Sequence, residues 1–228
     1  MTAVAAAWIG DGQGVPVPGE TVGLDIGGVP VRLWRAVNLD QFVDAEALLR
    51  GDDAAEPPYW MHLWPGALAA ARRIAAAPGL GPGVRVLELG CGLALPALVA
   101  ACRGAAVVAT DRRREPLLFA RRSAGLNDCA QALAQMDWGA PALHGQFDVC
   151  VGADIGYDAS AEAALVATLA ASTAPHGMVW LADSVNAARR SLAARLEAAG
   201  FTVETTQTQE SEDGHPVWVR LLAAQRGA

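Results

Sequence analysis

The residues best suited to chemistry are grouped between positions 86 and 111. An apolar run ends around Glu88, and Gly90 and Gly92 follow it at a spacing that permits a tight turn. A helix-compatible stretch comes next, and a second apolar run over 107–110 is followed by Asp111. A strand, a glycine turn, a helix and a strand ending in a carboxylate form the half-site with which α/β proteins bind a nucleotide-containing cofactor.

The glycine turn differs from a dinucleotide-binding loop. Such a loop has the pattern Gly-x-Gly-x-x-Gly, which places a pyrophosphate on the helix N-terminus, but Leu95 stands where the last glycine would be. Glu88 would repel a pyrophosphate, whereas a carboxylate suits a ligand that carries an ammonium and a sulfonium. The pattern therefore favours S-adenosylmethionine (SAM). Gly90 and Gly92 would let the backbone approach its methionine part, and Asp111 would accept hydrogen bonds from both ribose hydroxyls. The alternative is a plain strand–helix turn.

Length and charge limit the class of protein. The chain has 228 residues, 53% of them hydrophobic, and a net charge of −7. This length fits one α/β domain with a modest N-terminal addition. The acidic balance argues against bulk nucleic-acid binding by a basic surface. No apolar run reaches the roughly 18 residues of a membrane span, and the first residues lack the basic region of a signal peptide, so we expect no membrane association.

The cysteines and histidines suggest neither a metal site nor a disulfide framework. The four cysteines, at positions 91, 102, 129 and 150, include no Cys-x-x-Cys pair. Reduced, scattered cysteines are typical of a cytoplasmic protein. The four histidines, at 62, 144, 176 and 215, lie apart without a ligand spacing. We therefore expect the histidines on the surface or in loops.

Hydrophobic patterning predicts the elements that position these residues. Strands are predicted near 84–89, 106–110, 132–136, 147–153 and 177–182, and they alternate with helices near 95–103, 115–126, 160–173 and 186–199. This alternation, with continuously apolar strands, indicates a parallel sheet covered on both faces. Two further β-patterned runs, 201–207 and 217–223, predict a closing antiparallel hairpin.

The N-terminal part has a different organisation. Residues 1–19 are rich in glycine and proline and predict a loose tail, whereas 20–37 alternate around Gly27 and Gly28 as a β-hairpin does. A short helix over 38–50, a loop to 58 and a helix from Pro65 to about 77 follow. We therefore divide the chain into residues 1–57, with tail, hairpin and short helix, and a main domain over 58–228.

Four motifs carry a resemblance to a known family. They are Pro58-Tyr-Trp60 with Leu63-Trp-Pro65, Leu87-Glu-Leu-Gly-Cys-Gly92, Asp137-Trp-Gly139 and Asp154-Ile-Gly-Tyr157. Together they resemble the class I (seven-β-strand) SAM-dependent methyltransferases, and within them the protein-lysine methyltransferase group with the Asp-x-x-Tyr motif. The resemblance covers roughly residues 57–223. It implies a Rossmann-like, doubly wound, mostly parallel seven-stranded sheet with an antiparallel C-terminal hairpin. Ala94 is a departure, since many relatives have glycine there.

The resemblance also implies roles for individual residues. Glu88 would orient the SAM ammonium directly or through water, and the segment at Asp137 and Trp138 would border the adenine. Asp154 and Tyr157 would form the mouth of the substrate channel and are the catalytic candidates. Trp64 would pack beside SAM, and Tyr59 and Trp60 would wall the entrance. The cofactor site would thus comprise Trp64, Glu88, Gly90, Cys91, Gly92, Asp111, Arg112, Asp137, Trp138 and Ala153.

Each of these roles has a structural alternative. Glu88 could be a capped strand end, the arginine run 112–114 a solvated face, and Trp64 and Trp138 core residues. Asp154 could cap the turn that follows it, with Tyr157 packed beside it. The implied activity is methylation of an amine, with a protein lysine as the acceptor. The alternatives are a small-molecule N- or O-methyltransferase and a non-catalytic SAM-binding module.

Overall fold

The computed structural model describes residues 7–9, 15–17, 19–37, 58–141, 143, 145–184 and 191–227. The predicted helix over 38–50 and the loop to 57 lie outside these residues. Within the predicted loose tail, the described segments Ala7–Ile9 and Val15–Val17 pair as two antiparallel strands, β1 and β2. The division of the chain at residue 57 stays a prediction.

The remaining elements follow in chain order. They are β3 (Gly19–Ile26), β4 (Val29–Ala36), a 3-10 turn (Tyr59–Met61), α1 (Pro65–Ala76), β5 (Arg85–Leu89), α2 (Leu95–Cys102), β6 (Ala106–Asp111), α3 (Arg114–Leu126), β7 (Ala132–Gln135), β8 (Phe147–Ala153), α4 (Glu162–Ser172), β9 (Thr173–Ser184), α5 (Ser191–Ala198), β10 (Phe201–Glu212) and β11 (His215–Arg226). No helix in these ranges combines the length and apolarity that crossing a bilayer requires.

Seven strands form one sheet in the order β10-β11-β9-β8-β5-β6-β7. The strands β5 to β9 are parallel, and β11 pairs antiparallel with both β9 and β10. The chain builds outward from β5 to β7 and then returns to place β8 on the other side of β5. The carboxyl ends of β5 and β8 therefore flank the topological switch point, where open α/β sheets bind ligands. The predicted fold class is confirmed.

Two apolar layers cover the sheet. One joins β4 to α1, α2 and α3, with Leu33, Ile74, Leu98 and Phe119 among its buried side chains. The other lies under α4 and α5 and includes Leu169 and Leu196. The sheet is thus buried on both faces, as the continuously apolar strands predict.

Several observed elements differ from the predicted ones. Strands β10 and β11 are longer than the predicted runs 201–207 and 217–223. Strand β9 begins at Thr173 rather than 177, because a bulge opposite Phe147 accommodates the glycine and proline that interrupt its pattern. Helix α1 buries Ala69 and Ala70 as well as Ala71 and Ile74, because the sheet and α2 pack on it from different sides.

Candidate functional site

A cleft opens at the switch point. It is open to solvent, and the space between its walls, counted with that opening, is about 830 Å³. The loops after β5, β6 and β8 and the segment before α1 supply its walls. They contribute Tyr59, Trp60, His62, Leu63, Trp64, Ala67, Gly90, Cys91, Gly92, Leu93, Ala94, Leu95, Asp111, Arg112, Arg113, Ala153, Asp154, Ile155 and Tyr157.

The loop after β5 leaves room only for backbone at its two glycines. Gly90 and Gly92 have φ of 60° and 49°, a left-handed conformation that glycine adopts without strain. A Cβ at position 90 would lie 2.8 Å from Ile155 Cγ2, and one at position 92 would lie 3.3 Å from the Trp60 carbonyl oxygen. Both glycines line the cleft. Packing against Ile155 and Trp60 thus requires glycine at both positions, and the approach of this backbone to a ligand stays a prediction.

Glu88 lies beneath this loop rather than on the cleft wall. Its side chain is 1% exposed, and its Oε2 accepts a hydrogen bond of 2.8 Å from the backbone N–H of Ala97 in the first turn of α2. Burial raises the pKa of Glu88 to about 8, with nearby Asp111 raising it further and the Ala97 hydrogen bond opposing the rise. Glu88 thus caps a helix in a dry site, and its orientation of an ammonium stays a prediction.

Asp111 reaches the floor of the cleft from the end of β6. Its Oδ2 accepts the Gly92 N–H at 3.1 Å and its Oδ1 accepts the Arg113 N–H at 3.0 Å. Burial raises the pKa of this carboxyl, while the two backbone hydrogen bonds and the charges of Arg112 and Arg113 lower it. Each oxygen keeps a lone pair for a further donor. Arg112 is exposed and also lines the cleft.

Asp137 and Trp138 do not line the cleft, although Trp138 lies close to it. A Cβ at position 90 would lie 3.3 Å from the Trp138 ring, so the indole backs the glycine loop. The ring also packs on the apolar layer under α4. Asp137 is exposed, and its Oδ1 accepts the Gly139 N–H at 2.7 Å. Their contact with an adenine stays a prediction.

Asp154 stands where the ends of β8, β9 and α1 meet. Its Oδ2 accepts the Gly66 N–H and its Oδ1 accepts the Ser184 N–H, both at 2.7 Å. The backbone is left-handed at Asp154, with φ of 50°, and a Cβ at Gly66 would overlap its carboxylate. Burial raises its pKa, the Ser184 and Gly66 hydrogen bonds lower it, and the charge of Glu212 raises it. Tyr157 is 45% exposed at the rim.

Asp183, which the sequence did not single out, holds the Asp154–Tyr157 turn in place. It is the penultimate residue of β9, its surface is 3% exposed, and its Oδ1 accepts the Gly156 N–H at 3.0 Å. Burial raises the pKa of Asp183 to about 6, and the charge of Asp154 acts in the same direction. The hydrogen bond from Gly156 lowers this pKa. Asp154 in turn accepts the N–H of the residue after Asp183. The two strand ends therefore exchange carboxylate–backbone hydrogen bonds.

A second cavity adjoins the cleft. It holds about 920 Å³ with its open mouth, and it is lined by Tyr59, Trp64, Asp154, Tyr157, Ser184, Glu212 and Val217. Four of these residues, Tyr59, Trp64, Asp154 and Tyr157, also line the cleft. The Tyr59 ring lies 6.2 Å from the rings of both Trp64 and Tyr157. Aromatic rings and a carboxylate thus stand at the junction of the two spaces.

His62 lies in the loop before α1, as expected of the histidines, but it also takes part in the cleft. It lines the cleft, and its ring lies 4.6 Å from that of Trp64. Its Nε2 lies 2.8 Å from Glu212 Oε1 at the tip of the C-terminal hairpin. Trp60 packs its ring edge-on against Phe119, at 5.2 Å, so only part of it belongs to the entrance.

The donor set suits an organic cofactor. Over the ranges that the structure describes, no group of His, Cys, Asp and Glu could hold a metal ion. The buried Cys91 has its pKa raised well above the ordinary value, by burial first and by the charges of Glu88 and Asp111, so it is not an activated nucleophile. A glycine cradle and a carboxylate at the next strand end fit the methionine and ribose parts of SAM.

Comparisons with known proteins agree with this geometry. The chain matches none of the protein-family models. A segment of 74 residues is 38% identical to the electron transfer flavoprotein beta subunit lysine methyltransferase of Danio rerio, and it covers 32% of this chain and 29% of that protein. The chain therefore spans far less than two thirds of that relative.

Solved structures resemble the whole domain. The Thermus thermophilus 16S rRNA N2 G1207 methyltransferase, in complex with AdoMet and guanosine, matches with a TM-score of 0.64 over 91% of this chain and 50% of its own, at 18% identity. The magnesium protoporphyrin IX methyltransferase of Synechocystis with bound SAM matches with a TM-score of 0.59 over 82% and 94%, at 18% identity. The chain therefore has the class I SAM-dependent methyltransferase fold. Because one neighbour acts on rRNA, the fold does not support the expected exclusion of nucleic acid.

Proposed function

We propose that this protein is a SAM-dependent methyltransferase that methylates an amine, with a protein lysine side chain as the acceptor. One observation carries the proposal: the cofactor cleft and the second cavity share Tyr59, Trp64, Asp154 and Tyr157. A nucleophile that enters by the second cavity would therefore meet the cofactor at these residues. The sequence similarity of a 74-residue segment to a lysine methyltransferase supports lysine as the acceptor.

The chain's own residues would bind and align the reactants. Gly90 and Gly92 would receive the methionine part of the cofactor, and the free lone pairs of Asp111 would receive the ribose hydroxyls. Asp137 and Trp138 would border the adenine. SAM, when bound, supplies an electrophilic methyl group on a sulfonium. The protein's contribution is then alignment and the exclusion of water.

A lysine acceptor must be neutral to attack. With an ordinary pKa of about 10.4, loss of its proton at pH 7 costs about 4.6 kcal/mol. Removal from water beside a cationic sulfonium lowers that cost. Asp154 would hold the incoming ammonium with the lone pairs left free by Gly66 and Ser184, and Tyr157 would shape the channel. Asp154 would orient the acceptor and is not required as a strong base, because the acceptor's proton would pass to solvent at the open second cavity before the neutral amine attacks.

Small-molecule amines or hydroxyls are the second candidate acceptors. The fold supports them as well as a protein, since one neighbour is a protoporphyrin methyltransferase. A third candidate is a SAM-binding module without methyl transfer, because the fold alone does not specify a reaction. Binding and transfer must therefore be measured separately.

The composition of the chain excludes self-methylation on lysine as a source of signal in the test. All 17 basic residues are arginine, so the chain contains no lysine. The experiment incubates the protein with labelled SAM and a lysate of the source organism, followed by hydrolysis and separation of methylated amino acids. Labelled methyl-lysine must then come from an acceptor and not from the enzyme. Label confined to small molecules supports a small-molecule acceptor. The lysate is demethylated beforehand, so that acceptors are not already methylated. If the protein then binds SAM but no label enters either the protein or the small-molecule fraction, methyl transfer to both kinds of acceptor is contradicted.

Variants of Asp154 test its assigned role. Asp154→Asn keeps one oxygen acceptor for the backbone, and Asp154→Ala removes both. Both should lower methyl transfer at least tenfold while the SAM dissociation constant, measured by calorimetry, changes less than threefold. Asp128→Asn is a matched control, because Asp128 is an exposed aspartate with the same left-handed backbone, at φ of 51°. Equal losses of transfer and of SAM affinity in Asp154→Asn would contradict the assignment.

A further inference from the structure

We infer that Glu212 is a specificity-determining residue, which makes the second cavity select an acceptor that arrives as a cation. Glu212 lies at the end of β10, where the C-terminal hairpin turns, far in sequence from the motifs that resemble a known family. The inference rests on the proposed function, since it assigns the acceptor's charge at the same site.

The position of Glu212 is fixed from the opposite side of the cavity. Its Oε1 contacts His62 Nε2 at 2.8 Å, and the side chain is 32% exposed. His62 belongs to the segment before α1, so the contact joins the hairpin tip to the wall that carries Tyr59 and Trp64. One oxygen of Glu212 is held by this contact, and the other lone pairs are available to a ligand.

The two carboxylates of the cavity act on one space. Asp154 and Glu212 both line it, so their like charges face the same space, and the charge of Glu212 raises the pKa of Asp154. No arginine is among the described residues that line the cavity, and His62, which contacts Glu212, is a cation only when protonated. An ammonium placed between the carboxylates would offset their repulsion.

The remaining walls also favour a cation. The rings of Tyr59, Trp64 and Tyr157 line the cavity, and an ammonium or methylammonium is attracted to the faces of such rings. A neutral hydroxyl or a carboxylate would gain neither interaction, and a carboxylate would be repelled. The chemistry of the cavity thus fits a primary ammonium on a flexible apolar stem, such as the end of a lysine side chain.

The test measures binding without catalysis. The probes are n-butylammonium chloride and 1-butanol, which have stems of equal length, and their dissociation constants are measured by ligand-observed NMR on the full chain saturated with S-adenosylhomocysteine. The wild type should bind n-butylammonium at least tenfold more tightly than 1-butanol. Glu212→Gln keeps an oxygen for His62 but loses the charge, and it should reduce the preference about threefold or more.

Two controls separate local from general effects. Asp213→Asn removes the same charge from the next residue, which is exposed, has φ of 49° and does not line the cavity, so the preference should remain. His62→Gln changes the His62–Glu212 contact but keeps the charge of Glu212, so it tests whether the contact alone accounts for the preference for n-butylammonium. The inference is overturned if Glu212→Gln leaves the preference unchanged, if Asp213→Asn reduces it equally, or if the wild type has no preference. Titration of each variant with SAM measures cofactor binding separately, so a failure of the Glu212 inference can be distinguished from a failure of the proposed SAM site.

Discussion

Replacing Glu88 by glutamine should stabilise the fold at neutral and alkaline pH. Glu88 is fully buried, and its pKa of about 8 lies well above the ordinary value of 4.5. Below pH 4.5 the carboxyl is protonated in both the folded and the unfolded chain, so it costs nothing. Between pH 4.5 and 8 the unfolded chain loses the proton while the folded chain keeps it, and the free energy of unfolding falls. Above pH 8 both are ionised and the loss is complete.

The magnitude follows from the two pKa values. Each pH unit between them changes the free energy of unfolding by about 1.4 kcal/mol, so the full loss approaches 5 kcal/mol. Glutamine keeps an oxygen for the Ala97 N–H and has no charge to bury. Its new amide N–H groups need partners in a dry site, which offsets part of the gain by about 1–3 kcal/mol. We therefore expect Glu88→Gln to be neutral or destabilising at pH 5 and stabilising by about 2–4 kcal/mol at pH 8.

The assay is urea denaturation at several pH values between 5 and 8. The difference in unfolding free energy between Glu88→Gln and the wild type should grow steadily with pH. Glu197→Gln, which changes an exposed glutamate on α5, should leave the wild-type dependence unchanged. A Glu88→Gln curve parallel to that of the wild type would refute the assignment of a buried, protonated carboxyl. If Glu88 faces the SAM ammonium, binding at pH 7 should also release a proton, which calorimetry in buffers of different ionisation enthalpy detects.

Three further predictions concern the cleft. Asp111→Ala should weaken SAM binding tenfold or more by calorimetry, since up to two ribose hydrogen bonds are lost, and an unchanged dissociation constant would contradict the cofactor site. Gly66→Ala should lower the free energy of unfolding, measured by denaturant titration, by about 2 kcal/mol or more, because the added methyl group overlaps the Asp154 carboxylate and the Ala182 carbonyl. The control Gly23→Ala adds a methyl group in open space and should change the free energy of unfolding by less than ~1 kcal/mol. Asp183→Asn should lower methyl transfer with SAM affinity kept and shift the pH profile of transfer, and a purely structural role would leave the profile unmoved.

Much of the sheet could be predicted from local pattern. Strands β5 to β8 are short apolar runs bounded by glycines or polar turns, so their limits follow within about two residues. The glycine loop and Asp111 were also predictable, because the residues that form this half-site are close in sequence. The prediction from the Asp-x-x-Tyr motif that Asp154 and Tyr157 stand together at the cleft agrees with their placement.

The rest of the site depends on contacts between distant segments. The contact of His62 with Glu212 joins residues 150 positions apart, and neither residue has a motif around it. Asp183 follows an apolar strand as many solvated aspartates do, so its burial became visible only when Gly156 was placed against it. The burial of Glu88 was hidden for the same reason, since the strand end is covered by the helix whose N–H it accepts.

The position of β11 in the sheet has a consequence for biosynthesis. This strand is made after both of its neighbours, yet it lies between β9 and β10 and pairs with both of them. Until it emerges from the ribosome, β9 presents an unpaired edge and β10 has no neighbour in the sheet. Translation that stops in the turn around Gly214 would therefore leave a long apolar edge exposed, and such chains should be prone to aggregation and proteolysis. The seven-stranded sheet is therefore complete only when β11 inserts between β9 and β10.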